Sequence, residues 1–239
     1  MERLDIERIN HIRIKEKEYH DDCYDNVKLF QAGSWLQKPV KSVMEALGHC
    51  RPSENLQLLD LGCGVGRNSI PLAERMGRGG GKIVCVDLLP SAISHLNRYA
   101  AQYGVADRIE GVVSDIRNYR IPPDAFDYMF SVSALEHLET QAAFDGVLTG
   151  MMEGTRAGGV HCLLINANIT ETAVDTGESL DPMFELLFET DELLARLSVR
   201  YHGWRVLQQT VKSFVMRIKR DGRPVKLGTD VVTWAVQKI

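Results

Sequence analysis

The sequence predicts an α/β fold in which a mostly parallel sheet is covered by helices on both faces. Three observations predict it. Short apolar runs recur through residues 56–165, most of them followed by a stretch of helical character. The runs are continuously apolar, the pattern of strands buried on both sides. A glycine-rich turn, Gly62-Cys63-Gly64-Val65-Gly66, separates the first run from the first helix of that series.

The elements follow in order. Residues 1–55 differ in texture from the rest and are expected to form an N-terminal helical cap or lid before a main domain over 56–239. Their aromatics Tyr19, Tyr24 and Trp35 either line a lid over a ligand or anchor the arm to the body. A helix is expected over 35–47, with Ser34 as its cap and Pro39 confined to its first turn. Next come a strand over 56–61 and a helix over 68–76, closed by Gly77 and Gly79-Gly80-Gly81. A strand over 82–87, a helix over 91–103 ended by Gly104, and strands over 109–113 and 126–131 continue the series. A helix over 140–156, ended by Gly158-Gly159, leads to a strand over 160–165. A helix from 190 to about 197 then precedes β-rich runs at 204–218 and 231–238. The turn-rich Arg220-Asp221-Gly222-Arg223-Pro224 lies between these runs, so they are expected to pair antiparallel at a sheet edge.

Composition narrows the function. The 239 residues suffice for one large domain with a sizeable core, and a net charge of -4 advertises no nucleic-acid surface. No run approaches the ~18 apolar residues that span a bilayer. Residues 1–17 interleave charged and apolar positions, without the uncharged core of a signal peptide. The expectations are therefore a cytoplasmic monomer or homodimer with a small-molecule partner and no nucleic-acid or membrane partner. Cys23, Cys50, Cys63, Cys85 and Cys162 are odd in number and lack a CxxC pair, which suits reduced cysteines. No His/Cys/Asp cluster has ligand spacing, so no metal is expected.

The chemistry concentrates at the strand ends. Gly62 and Gly64 permit a sharp turn and close approach of a ligand, and the helix that follows offers free N–H groups to an anion. A nicotinamide fingerprint needs a small third residue where this chain has Arg67; the third glycine, Gly66, comes one position early. Asp60 suits a cofactor with an amino group, by orienting the loop or through a water. Asp87 ends the second strand, where a carboxylate can accept from both ribose hydroxyls; the alternative is a turn residue beside Pro90. Asp115 can accept from an adenine amino group with Ile116 packed on the ring, and alone reads as a cap or turn residue.

In series, Asp60-Leu61-Gly62-Cys63-Gly64-Val65-Gly66, Asp87, Ser114-Asp115-Ile116 and Phe126-Asp127-Tyr128-Met129-Phe130-Ser131 resemble the motifs of class I S-adenosylmethionine-dependent methyltransferases. The resemblance covers about 56–165, and the terminal strand pair extends it. It implies a Rossmann-like, seven-stranded sheet with an antiparallel last strand. It also implies S-adenosylmethionine as cofactor, with S-adenosylhomocysteine as product. The implied cofactor contacts are Asp60, Gly62, Cys63, Gly64, Gly66, Asn68, Asp87, Leu88, Ser114, Asp115, Ile116 and Ser131. More narrowly, residues 59–73, Tyr201-His202-Gly203-Trp204 and Val225-Lys226-Leu227 resemble the tellurite-resistance methyltransferases. In that family a His-Arg pair approaching the hairpin serves the substrate. This chain has Met216-Arg217 there, so Arg217 is carried over and the histidine is not.

A sulfonium methyl is already activated, so alignment is the protein's main task. A soft nucleophile such as a thiol, selenol or chalcogen oxyanion needs no general base, whereas an oxygen or nitrogen nucleophile can need one. His137, in Ser133-Ala134-Leu135-Glu136-His137-Leu138, is the base candidate and also reads as a structural histidine at a helix start. Glu136 is the weaker candidate. Arg67 and Asn68 read either as contacts to the cofactor carboxylate or as a solvated first turn. The expected activity is methyl transfer to a small molecule. A non-catalytic cofactor-binding protein and a nicotinamide-dependent oxidoreductase are the alternatives.

Overall fold

The structure is a computed structural model in which residues 3–76 and 79–239 are described. A 24-residue helix, α1 (Arg3–Asn26), leads the chain. The helix expected over 35–47 contracts to α2 (Lys41–Ala46) and a 3₁₀ turn, Leu47–His49. Pro39 is the physical reason: it disfavours helical backbone at the residue before it and cannot donate its nitrogen. Ser34 is not a cap, because its Oγ donates to the Gln31 carbonyl at 2.7 Å.

The next elements lie within two residues of expectation. They are β1 (Gln57–Leu61), α3 (Ser69–Arg75), β2 (Lys82–Asp87), α4 (Pro90–Gln102), β3 (Ile109–Val113), β4 (Phe126–Val132) and α5 (Gln141–Gly154). Gly77, expected to help close α3, lies outside the described residues. Thr140 caps α5 by accepting the Ala143 N–H at 3.1 Å. β5 (Thr155–Ala173) is far longer than the expected 160–165. Beyond Ile165 its burial alternates instead of staying continuous, because this part is no longer covered on both faces. β6 (Ser179–Leu180), α6 (Thr190–Arg200), β7 (Arg205–Arg220) and β8 (Arg223–Gln237) complete the chain.

The sheet order is β3-β2-β1-β4-β5-β8-β7, with β6 paired on β5. β1 to β5 are parallel, and β8 runs antiparallel to both of its neighbours. The last strand therefore inserts beside β5, and β7 takes the edge. Asp221 and Gly222 turn the hairpin with φ of 51° and 78°, both positive as a tight two-residue turn requires.

Two apolar layers hold the sheet. Leu58, Ile70, Cys85, Leu96, Tyr128 and Phe130 lie on the side of α3 and α4. Leu59, Leu61, Phe144, Leu163, Leu193 and Trp234 lie on the side of α5 and α6. Adjacent residues Leu58 and Leu59 enter opposite layers, as the period of two demands. Each such burial stabilises by about 1.5–3 kcal/mol. Among the described residues no helix is long and apolar enough to cross a membrane.

Candidate functional site

β1 is flanked by β2 on one side and β4 on the other, so strand order reverses there. Open α/β sheets bind ligands outside the carboxyl ends of strands at such a reversal. A cavity of about 520 Å³ lies there, roofed by α1 and the β7–β8 hairpin. Gly62 has φ +80°, and a Cβ on it would stand 2.3 Å from the Ala134 Cβ. A Cβ on Gly64, at φ +53°, would stand 3.0 Å from the Tyr24 hydroxyl. The turn is thus closed to side chains on two grounds, backbone conformation and space. The Asp87 carboxylate braces it, accepting the Gly64 N–H at 2.8 Å and the Leu89 N–H at 2.9 Å. Burial raises the Asp87 pKa, opposed by these two bonds. Each oxygen keeps a second lone pair.

Gly62, Cys63, Gly64, Asn68, Asp87, Leu88, Asp115, Ile116 and His137 all line the cavity, as do Tyr19, Tyr24 and Trp35. Asp60, Gly66, Ser114, Ser131 and Arg217 are not in its wall. Asp60 is buried beneath it and accepts the Ser69 hydroxyl at 2.5 Å, and burial pushes its pKa up to about 7. Gly66 serves packing: a Cβ there would come within 2.5 Å of Leu96. Ser131 donates to the Leu61 carbonyl at 2.8 Å, and Ser114 to the Asp115 carbonyl at 3.0 Å. Arg217 is exposed on the outer face of β7, while Met216, Ile218 and Arg220 alternate onto the cavity side. Asn68 ties the turn to the chain just before α2 by accepting the Val40 N–H at 2.9 Å. Arg67 is no solvated arginine, because it donates to the Trp35 carbonyl at 2.8 Å and lies 5.4 Å from that ring's centre.

The far end of the cavity is built by residues that no local motif marks. Glu16 of α1 lies 3.3 Å from His20 and 3.1 Å from Arg220. Burial opposes its charge. The His20 bond and the positive charges of His137, His20 and Arg220 outweigh burial and hold its pKa down to about 2. Arg220 also pairs with buried Glu171 at 2.9 Å. Arg13 reaches Asp115 at 3.3 Å and Glu139 at 3.2 Å. Apart from Glu16 and His20, one helical turn apart on α1, these partners lie far apart in sequence, and the sequence marks them by no more than the period-two alternation through 214–220 and the charge density of 1–25.

His137 closes a 3₁₀ turn after β4, Leu135–His137. Its Nδ1 meets the Glu185 carboxylate at 2.9 Å, and its ring stacks on Phe184 at 4.9 Å. Burial lowers its pKa. The Glu185 bond and the charges of Glu16, Glu185 and Glu136 more than reverse that, raising it to about 9. A general base must be unprotonated, and His137 is an imidazolium at neutral pH. Glu136 is fully buried and outside the cavity wall; burial raises its pKa. It accepts from both the backbone and the side-chain nitrogen of Asn166.

Residues 58–159 match the family model described as methyltransferase domain. Those residues are thus a methyltransferase domain, as the series of motifs implied. Among curated proteins it is 31% identical over 101 residues to the carboxy-S-adenosyl-L-methionine synthase of Citrobacter koseri, covering 42% of this chain and 41% of that protein. It is 26% identical over 133 residues to the sterol 4-C-methyltransferase strm-1 of Caenorhabditis elegans, covering 53% and 36%. This methyltransferase-domain chain thus spans about two fifths of the length of these relatives. Its fold is similar to that of TehB from Haemophilus influenzae, with a TM-score of 0.64 at 20% identity over 92% of this chain and 67% of that one.

Proposed function

We propose that this chain transfers the methyl group of S-adenosylmethionine to a small-molecule acceptor. One observation carries the reading: the side-chain-excluding turn at Gly62 and Gly64, braced by Asp87, opens into a cavity at the sheet's reversal point. The residues fit that cofactor. Gly62 has no room for a Cβ and Gly64 little, a carboxylate keeps lone pairs for ribose hydroxyls, and buried His20 Nδ1 has no hydrogen-bond partner among the described residues.

In this reading Gly62, Cys63, Gly64 and Asn68 take the methionyl end, Asp87 the ribose, and Leu88, Asp115 and Ile116 the adenine. Asp60, Gly66, Ser114 and Ser131 support the wall from behind, and Arg217 has no part. Residues 1–55 are the lid, with α1 excluding water from the cavity. S-adenosylmethionine supplies, when bound, a methyl group on a positively charged sulfur. The protein's residues orient that group and the acceptor. A protonated His137 supports a nucleophile that needs no base, which accommodates the chalcogen-oxyanion or thiol-like acceptor of the narrower sequence resemblance.

The test is a thermal-shift comparison of S-adenosylhomocysteine with NAD, followed by S-adenosylhomocysteine release from S-adenosylmethionine across thiols, selenite and organic acids. Stabilisation by S-adenosylhomocysteine together with turnover is expected. Stabilisation by NAD alone contradicts the reading, and binding without any turnover favours a non-catalytic protein.

A further inference from the structure

We infer that the acceptor is an organic anion: an oxyanion of carboxylate type carried on an apolar body. The inference rests on the methyl-transfer reading and concerns the half of the cavity beyond the glycine turn.

Two donors face that space. The first is His137. Its Nδ1 is committed to Glu185, whose side chain is only 2% exposed, and Phe184 stacks on its ring. Ring orientation is therefore fixed on two sides. Its Nε2 has no hydrogen-bond partner among the described residues, and the residue lines the cavity. The second is Ser133, which also lines the cavity. Its Oγ accepts from Asn166 Nδ2 at 3.1 Å. Asn166 cannot present its amide the other way, because the same nitrogen donates to Glu136 and its Oδ1 accepts from Thr229 at 3.1 Å. The Ser133 hydroxyl proton is thus left for a ligand. Ser133 sits at φ +52°, uncommon for a residue with a side chain, and its N–H is held by the Leu164 carbonyl at 2.9 Å. Strained backbone of this kind persists where the surroundings over-determine it, often at sites of function.

The carboxylates nearby are already engaged. Glu16 is held by His20 and Arg220, and Glu185 by His137 with Arg13 at 3.8 Å. Glu136 binds Asn166 through Oε1 and lies outside the cavity wall. Neither Glu16 nor Glu185 is free to receive a cationic acceptor. Beside these ion pairs the wall has an apolar part, formed by Phe184, Met216, Ile218 and Leu227. A charged donor and a neutral donor beside an apolar surface suit an oxyanion, since hydrogen bonds to an ionised acceptor are roughly twice as strong as neutral ones. An inorganic oxyanion would use the donors and leave the apolar wall unfilled.

The experiment is calorimetry on the full chain saturated with S-adenosylhomocysteine at neutral pH. The probes are benzoate, 2-naphthoate and decanoate, their uncharged amides, and selenite. At least one carboxylate is expected to bind about tenfold or more tighter than its amide and than selenite, the difference of one charge-assisted bond. His137→Gln is expected to bring carboxylate and amide within about twofold while S-adenosylhomocysteine affinity holds, and Ser133→Ala to weaken the carboxylate about threefold. Should His137→Gln fail to fold, the wild-type pH profile decides: carboxylate affinity falls as pH rises through about 9. Equal binding of the amides, preference for selenite, discrimination surviving in His137→Gln, a flat pH profile, or no carboxylate binding overturns the inference. With S-adenosylhomocysteine bound, each of these outcomes leaves the methyl-transfer reading standing. A wild-type protein that does not bind S-adenosylhomocysteine overturns both.

Discussion

The two halves of the cavity are held by different physics. The half around Gly62, Gly64 and Asp87 is short-range and steric: backbone torsions, excluded Cβ positions and a carboxylate 23 residues away closing a turn. The half around Glu16, His137, Glu185 and Arg220 is long-range and ionic, with an Arg220–Glu16 pair spanning 204 residues and an Arg220–Glu171 pair spanning 49. A steric site is broken by adding atoms, and an ionic site by removing one charge. The contrast also shows in two histidines that start from the same ordinary pKa. His161, buried among Thr155 and Tyr201 and near Lys238, is driven down to about 3. His137, beside its carboxylates, is driven up to about 9.

The largest effect is expected where a buried charge loses its partner. Arg220→Ala leaves buried Glu171 without its charge partner and Glu16 with the histidines alone, and is expected to cost about 3–5 kcal/mol in denaturant unfolding. Adding Glu171→Gln should recover part of that; no recovery would mean the hairpin is not held by charge. Next comes the steric half. Gly62→Ala meets both a positive φ and the Ala134 Cβ, and about 3 kcal/mol of destabilisation is expected by the same method. A neutral outcome there would show that the turn is looser than its geometry.

His137→Gln gives a pH-dependent effect. The folded pKa of about 9 lies above the ordinary 6.5, so between them the native state holds more protons than the unfolded one. Its stabilisation, about 3 kcal/mol, is therefore fully present below pH 6.5 and lost as pH rises through about 9. Wild type and variant should differ at pH 6 and converge by pH 10 in thermal unfolding. A constant gap would assign the effect to Phe184 stacking instead. The smallest effect concerns α1. Arg8→Ala removes a pair to Asp181 at 3.0 Å and bonds to two carbonyls, and about 1 kcal/mol is expected, read as faster proteolysis within α1.

The same contrast explains what was legible in the sequence. β1 to β4 and their turn were readable because one local run fixed each strand and the following residue fixed its chemistry. Asp87, Asp115 and the glycines needed only spacing along the chain. Asp60 was readable as a charged strand end but not as a buried partner of Ser69, since that needs the packing of α3 on β1. The extent of β5 was hidden by its change from continuous to alternating burial past Ile165. The helix expected over 35–47 starts only at Lys41, because Pro39 bars helical backbone at the residue before it. Arg217 and Arg220 sit three residues apart on opposite faces of β7, so a one-residue question of register decided which one reaches the cavity. Glu171, Glu185 and the Arg220 contact of Glu16 were unreadable because these partners come from distant elements.

The central claim is tested most directly by calorimetric titration of S-adenosylhomocysteine into wild type and Asp87→Ala. Micromolar-range binding is expected for the wild type. Loss of the charge-assisted contacts and of the brace on Gly64 should weaken it by about thirtyfold in the variant. Equal affinity in the two proteins would contradict the account, because the carboxylate that braces the turn would then have no part in holding the cofactor.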